Sequence, residues 1–236
     1  MSTAVTLDAE RGAPLSEVVA GRLARVHERI HGAGGDPARL TVVAVTKGFG
    51  VDAVRAALDA GIGDVGENYA QELERKHAEL DVRSPACRWH FLGHVQRNKV
   101  RRIAPTVHLW QSVDRVDAGA EIARRSPGAS VLVQVNVSGE GAKNGCRWED
   151  APALVDDLLA LGLDVRGLMA LGPVGSPEEA RPGFRRVARL ADRLGLADRS
   201  MGMSDDLEVA VQEGTTMVRI GRALFGPRPG ARDRQQ

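Results

Sequence analysis

The chain has 236 residues, 43% of them hydrophobic, enough for one large core in the size range, about 250 residues, that a single α/β barrel commonly fills. Lys plus Arg total 32 against 31 Asp plus Glu, a formal net charge of +1, so no global field recruits nucleic acid or an anionic membrane and any binding must be local. The two cysteines, Cys87 and Cys146, lie far apart and exclude a disulfide framework or zinc knuckle, while the polar start and the lack of an apolar run near the ~20 residues of a membrane span point to a soluble, cytoplasmic protein.

Over 14–32, Leu15, Val18, Val19, Leu23, Val26 and Ile30 recur at helical spacing, so an amphipathic helix opens the domain, and GAGGDP ends it. LTVVAVTK at 40–47 is a short β-branched run, the pattern of a strand buried on both faces of a parallel sheet. A helical pattern follows in VDAVRAALDAG, then strand IGDVGE, helix 68–80, strand RWHFLG, helix 96–104, strand HLWQSV and helix 114–125. The alternation continues with strand SVLVQVNV, helix 149–161, strand DVRGLMAL, helix 177–195, a short Gly-broken strand near RSMGM, helix 205–213 and strand TMVRIG. Strands each followed by a helix or helical turn, with no long insert, predict an α/β fold: a single (β/α)8 barrel of TIM type with an extra N-terminal helix. A doubly wound sheet is the alternative, but its Gly-x-Gly-x-x-Gly fingerprint is missing after the first strand. The expected limits are a flexible start over 1–11, the barrel over 12–228 and a disordered, Pro/Gly-rich tail over 229–236.

In such a barrel the functional groups gather where strands end, at the C-terminal face. Lys47 closes the first strand after mostly apolar residues. At the barrel mouth, desolvation or nearby positive charge lowers an amine's pKa and frees the lone pair that attacks an aldehyde; the alternative is a lysine that marks the strand edge. In VRIGRALFG, Gly221 admits close backbone approach and the RALF turn presents free N–H groups to an anion, and barrels often bind phosphate after strands seven and eight. In SMGMS, Gly202 permits a tight turn, and the Ser204 hydroxyl can serve a ligand, cap the next helix, or do both. Asp205 and Asp206 are expected to face outward, since they would repel a phosphate. Arg219 points to the same side as Gly221 by strand alternation, into the barrel, where a guanidinium needs a partner: an ion pair with Glu67, or the pyridine nitrogen of a cofactor. Asn68, in GEN at 66–68, either hydrogen-bonds a ring oxygen or caps the next helix. His90 and His94 have no carboxylate or Cys at ligand spacing, so no metal is expected.

Together these residues resemble the pyridoxal-phosphate homeostasis family, which is alanine-racemase N-terminal-like, over nearly the whole chain. The motifs are AVTK at 44–47, GENYAQE at 66–72, WHFLGHVQRNK at 89–99, Lys143 with Gly145, LMAL at 168–171, SMGMSDDLEVAV at 200–211 and VRIGRALFG at 218–226. The resemblance implies pyridoxal 5′-phosphate held as a Schiff base on Lys47, Asn68 near the cofactor, Arg219 near the ring nitrogen, and phosphate around Ser204, Gly221 and the backbone at Arg222. His90 and Met203 complete the expected cofactor-binding set. Two departures stand out. Arg222 occupies a position where a small hydroxyl residue is frequent, so one phosphate hydrogen bond is lost or replaced by a guanidinium contact. Gly48-Phe49-Gly50 follows Lys47 where many members carry a second basic residue and a Pro.

The resemblance also implies cofactor carriage and buffering of vitamin B6 and amino/keto acid pools, without turnover. Racemisation needs groups on both faces of the substrate carbanion, and the related racemases supply a tyrosine from a second, β-rich domain; no C-terminal β domain is expected here. The single tyrosine, Tyr69, could reach the mouth but is expected to pack on a helix. An arginine at the ring nitrogen, unable to accept a proton, leaves the ring a weaker electron sink than a carboxylate would. The expected function is non-catalytic intracellular homeostasis of pyridoxal 5′-phosphate by a monomer, with apo forms of pyridoxal-phosphate enzymes as acceptors. A weak racemase or lyase is the alternative, and a cofactor-free Schiff-base aldolase a further one.

Overall fold

Eight parallel strands pair in chain order and close on themselves: β1 (Thr41–Val45), β2 (Asp64–Glu67), β3 (Arg88–Phe91), β4 (Val107–Val113), β5 (Ser130–Val135), β6 (Asp164–Ala170), β7 (Asp198–Ser200) and β8 (Met217–Ile220). This computed structural model describes residues 13–80, 87–137, 144–173 and 175–228. The expected start over 1–11, the tail over 229–236 and Lys143 lie outside the described residues. The helices are α1 (Leu15–Gly32), α2 (Val51–Asp59), α3 (Ala70–Glu79), α4 (Arg97–Ile103), α5 (Val116–Arg125), α6 (Ala151–Ala160), α7 (Arg181–Arg193), α8 (Leu207–Gln212) and the short α9 (Arg222–Phe225). Among the described residues no helix is long and apolar enough to cross a membrane.

The two-residue period of the strands sorts their side chains into two layers. Val43, Leu109, Leu132, Met169 and Met217 form a dry layer of their own, while Val42 and Ala44 join Val19, Val26, Ile30, Ala53 and Ala57 in the packing under α1 and α2. Full burial of each Val, Leu or Ile in these layers contributes about 1.5–3 kcal/mol, which is why apolar runs without polar alternation fold as barrel strands. β1 closes the barrel against β8 with Thr41 opposite Met217 and Val43 opposite Arg219. β7 is only three residues long and meets β8 at the single pair Ser200 and Met217. The Thr215 hydroxyl, 2.9 Å from the carbonyls of Arg199, Met201 and Met217, supports this weakest seam.

The N-terminal helix is part of the site's scaffold. Arg29 of α1 forks onto Glu208 at 2.7 and 2.8 Å and also donates to the Ser204 carbonyl at 2.9 Å, while Arg22 donates to the Leu224 carbonyl at 3.1 Å. One helix face therefore holds the turns that follow both β7 and β8.

Element ends differ from the sequence expectation for local reasons. β1 stops at Val45, because the Phe49 N–H donates to the Thr46 carbonyl at 3.0 Å and turns the chain. Single 3-10 turns, Trp148–Asp150 and Pro177–Ala180, precede α6 and α7; in the second, Pro177 in the first turn and the reciprocal Ser176 and Glu179 capping box set the start.

Candidate functional site at the barrel mouth

Lys47 follows a residue locked in the barrel wall. The Thr46 hydroxyl donates to Glu67 at 2.7 Å, its N–H to the Gly66 carbonyl at 3.1 Å, and its carbonyl accepts from the Lys76 ammonium at 2.8 Å. With Thr46 turned toward α3, alternation puts Lys47 on the inner side. It is half-buried and makes no hydrogen bond or ion pair among the described residues. Its pKa is lowered, first by burial, then by the positive charge of Arg228, with Arg219 adding and Glu67 opposing. The Arg228 Cδ lies 3.1 Å from where a Cβ on Gly48 would stand. A basic residue from far along the chain thus lies over the loop beside Lys47, where the sequence itself has glycine.

Arg219 faces inward from β8 and is buried. Its guanidinium donates to the Ser200 carbonyl at 2.7 Å, the Ser200 hydroxyl at 2.5 Å and the Ala170 carbonyl at 2.7 Å. No carboxylate pairs with it among the described residues: Glu67, one of its two expected partners, is taken by Lys76 from α3 on the outer side of the wall. Burial pulls the Arg219 pKa down and only the charge of Asp206 opposes, yet a guanidinium remains a cation at neutral pH. The site therefore contains a buried positive charge held by neutral acceptors alone, an arrangement that leaves it free to meet a ligand.

The turns after β7 and β8 meet next to it. The Ser204 hydroxyl accepts from the Ala223 N–H at 3.2 Å. It thus caps α9 rather than the helix that follows it in sequence; α8 starts at Leu207 with no side-chain cap. Gly202 takes φ +91°, and a Cβ there would lie 2.5 Å from the Ala210 Cβ, so this turn requires glycine. A Cβ on Gly221 would approach the Val45 carbonyl to 3.2 Å, which brings the α9 turn against β1 and its lysine. The leading N–H groups of such a turn have no intrahelical acceptor.

Some of the neighbouring side chains stand as expected and others do not. Asp205 faces outward, where it pairs with the exposed Arg222, so the Arg222 guanidinium is directed away from the turn and only its backbone lines it. Asp206 turns inward instead, buried, and accepts from the Met203 N–H at 2.6 Å; the short carboxylate closes the β7 turn on itself. Met203 is 40% exposed on the rim. Asn68 is half-buried, and α3 begins at Ala70 with Tyr69 in the N-cap position and no side-chain cap, so capping is not the role of Asn68. Tyr69 is 58% exposed rather than packed on a helix. His90 is enclosed, with Nε2 2.9 Å from Asp64 and Nδ1 2.7 Å from Gln111, and so offers no free nitrogen to a ligand at the mouth. Cys87 and Cys146 are free thiols pushed up to about 12 by burial.

The residues that sequence reading did not single out are Arg228, the last residue of the expected barrel, and the interior polar residues Gln111 and Ser200. Gln111 carried a signal, since it interrupts the apolar run of β4; Ser200, in the polar strand Asp198–Ser200, carried none.

The chain matches the family model for the alanine racemase N-terminal domain over residues 22–229. It is 44% identical over 223 residues to the pyridoxal phosphate homeostasis protein of Pseudomonas aeruginosa, covering 91% of this chain and 96% of that one. To the protein of the same name from Escherichia coli K12 it is 36% identical over 228 residues, covering 89% and 97%. Among solved structures it resembles PipY of Synechococcus elongatus with PLP bound, with a TM-score of 0.75 at 31% identity, covering 88% of this chain and 100% of that one. The alanine racemase of Clostridium difficile shares the fold alone, with a TM-score of 0.68 at 13% identity, and this chain spans 58% of its length.

Proposed function

The chain belongs to the pyridoxal phosphate homeostasis protein family, built on the alanine racemase N-terminal fold, and from that premise we propose that it binds pyridoxal 5′-phosphate at the barrel mouth as a Schiff base on Lys47 and acts as a carrier without turnover. The observation that carries this reading is the pairing of two cationic side chains that lack carboxylate partners, the half-buried Lys47 and the buried Arg219, beside the turn of Ser204 and Gly221.

When bound, the cofactor supplies a carbonyl that condenses with an amine, with loss of water, and an electron-withdrawing pyridine ring. The residues fit that group. Lys47 offers an amine whose lowered pKa favours the neutral, nucleophilic form. Arg219 can donate to the ring nitrogen but cannot give up a proton to it at neutral pH. The Ser204 hydroxyl and the backbone N–H groups of Gly221 and Arg222 receive the phosphate, with Met203 along the rim and Asn68 reaching the ring from the β2 end. His90 contributes from below through its bonded neighbours. A guanidinium rather than a carboxylate at the ring nitrogen favours storage over racemase or lyase chemistry, and in this reading the cofactor passes to apo-enzymes in the cytoplasm.

The test is the visible absorbance of wild-type protein and Lys47→Ala after incubation with pyridoxal phosphate, before and after borohydride. A band present only in the wild type and bleached by borohydride is expected, with no amino acid turned over. If both proteins lack the band, or both keep it, the assignment to Lys47 fails. Labelled cofactor is expected to reach an added apo-enzyme faster than it does through free solution, and equal rates would remove the carrier role.

A further inference from the structure

A continuous line of hydrogen bonds crosses the barrel interior from the ring-nitrogen arginine to the opposite end. Arg219 on β8 donates to the Ser200 hydroxyl at 2.5 Å. The Ser200 hydroxyl lies 2.6 Å from Gln111 Oε1 on β4, Gln111 Nε2 lies 2.7 Å from His90 Nδ1 on β3, and His90 Nε2 lies 2.9 Å from Asp64 Oδ1 on β2. Asp64 in turn takes a two-pronged bond from Arg88, at 2.8 and 2.6 Å, at the N-terminal end of the barrel. All five residues from Arg219 to Asp64 are buried.

The direction of each bond follows from the arginine. A guanidinium only donates, so the Ser200 oxygen accepts from it and directs its single hydrogen to Gln111 Oε1. That orients the Gln111 amide, whose NH2 then donates to His90 Nδ1 and to the Met217 sulfur at 3.0 Å. With Nδ1 an acceptor, the neutral His90 ring carries its proton on Nε2, facing the Asp64 carboxylate. No link can reverse alone, because each reversal would leave two buried groups opposing each other or unpaired. Nearly every other inward side chain at this level is apolar, so these polar residues are not required for filling the interior.

We propose that Ser200 and Gln111 are positioning residues for Arg219. Anchored through His90 to Asp64, they hold the guanidinium in one rotamer with its remaining donors directed to the mouth. Its use on the cofactor rests on the function proposed above; the positioning does not, and the two are tested separately.

The experiment uses the full chain and the variants Ser200→Ala, Gln111→Leu and Gln111→Glu. In the cofactor-free protein, 15N NMR is expected to show distinct, slowly exchanging Arg219 Nη signals and His90 protonated on Nε2 alone. In Gln111→Leu the Nη signals are expected to collapse, while Gln111→Glu, which can still accept from Ser200, keeps them and places protons on both His90 nitrogens. With pyridoxal phosphate, Ser200→Ala and Gln111→Leu are expected to shift the visible band and weaken binding by about tenfold, and Gln111→Glu to restore both. Unchanged Nη signals in folded Gln111→Leu, or a wild-type His90 carrying its proton on Nδ1, overturns the proposal. The expected Nη and His90 changes in a protein whose wild type shows no cofactor band would uphold the positioning and remove the function proposed above.

Discussion

Lys47 and Lys76 lie against the same short stretch of barrel wall, and their surroundings assign them opposite roles. Lys76 is fully buried on the outer side, and its ammonium meets Glu67, Glu72 at 3.2 Å and the Thr46 carbonyl at 2.8 Å. Lys47, the residue after Thr46, is on the inner side, only half-buried, with Arg228 and Arg219 as its nearest charged influences besides Glu67. A buried lysine with two carboxylates is a structural tie. One beside positive charge and without a carboxylate partner has the surroundings that the function proposed above asks of a nucleophile. Depth alone would have ranked them the other way, so the partners carry the functional information.

Breaking the tie should be the larger perturbation of stability. Lys76→Met leaves the Glu67 carboxylate, one oxygen of which is already buried without a partner, uncompensated in the wall. The expected loss is about 3–5 kcal/mol, read by urea unfolding, with Glu67→Gln in the same chain recovering part of it. If Lys76→Met proves neutral, the distinction between the two lysines loses its structural half. Burial pushes the Glu67 carboxyl up and Lys76 resists this.

A smaller effect is expected at the turn after β7. Gly202→Ala puts a side chain at φ +91° against Ala210, costing about 1–3 kcal/mol, and should weaken phosphate binding more than it weakens the linkage to a phosphate-free aldehyde. Equal losses for the two ligands would separate this turn from the phosphate.

Arg228→Ala is the mildest change and the sharpest on the nucleophile. The folded pKa of Lys47 is lowered, so its neutral fraction rises with pH through a range below that of an ordinary lysine. Removing Arg228 should move the pH profile of linkage formation upward and slow the reaction at neutral pH by less than about tenfold. A profile that does not move would leave burial and Arg219 as the causes.

How much of this was legible in the sequence depends on the range of the interaction. Most strands were readable because they are local apolar runs, with β7 (Asp198–Ser200) the polar exception, and AVTK, SMGMS and VRIG marked mouth ends because residue type and strand position suffice there. Asp206 and Tyr69 were misread because their orientation is decided by the turn they close or leave, not by their own chemistry. For Ser204, read as a ligand hydroxyl, a cap of the next helix or both, the capping partner differs: its hydroxyl accepts from the Ala223 N–H of α9. Arg228 over Gly48, and the line from Arg219 to Asp64, depend on barrel closure and strand register. No spacing along the chain encodes them.

The most direct test of the claim that Lys47 rather than Lys76 is the reactive amine is borohydride trapping of pyridoxal phosphate on the wild-type protein, followed by peptide mass mapping of the modified lysine. The account predicts the reduced adduct on Lys47, with Lys76 unmodified in the folded state. An adduct spread over surface lysines, or found on Lys76 while Lys47 stays free, would contradict it.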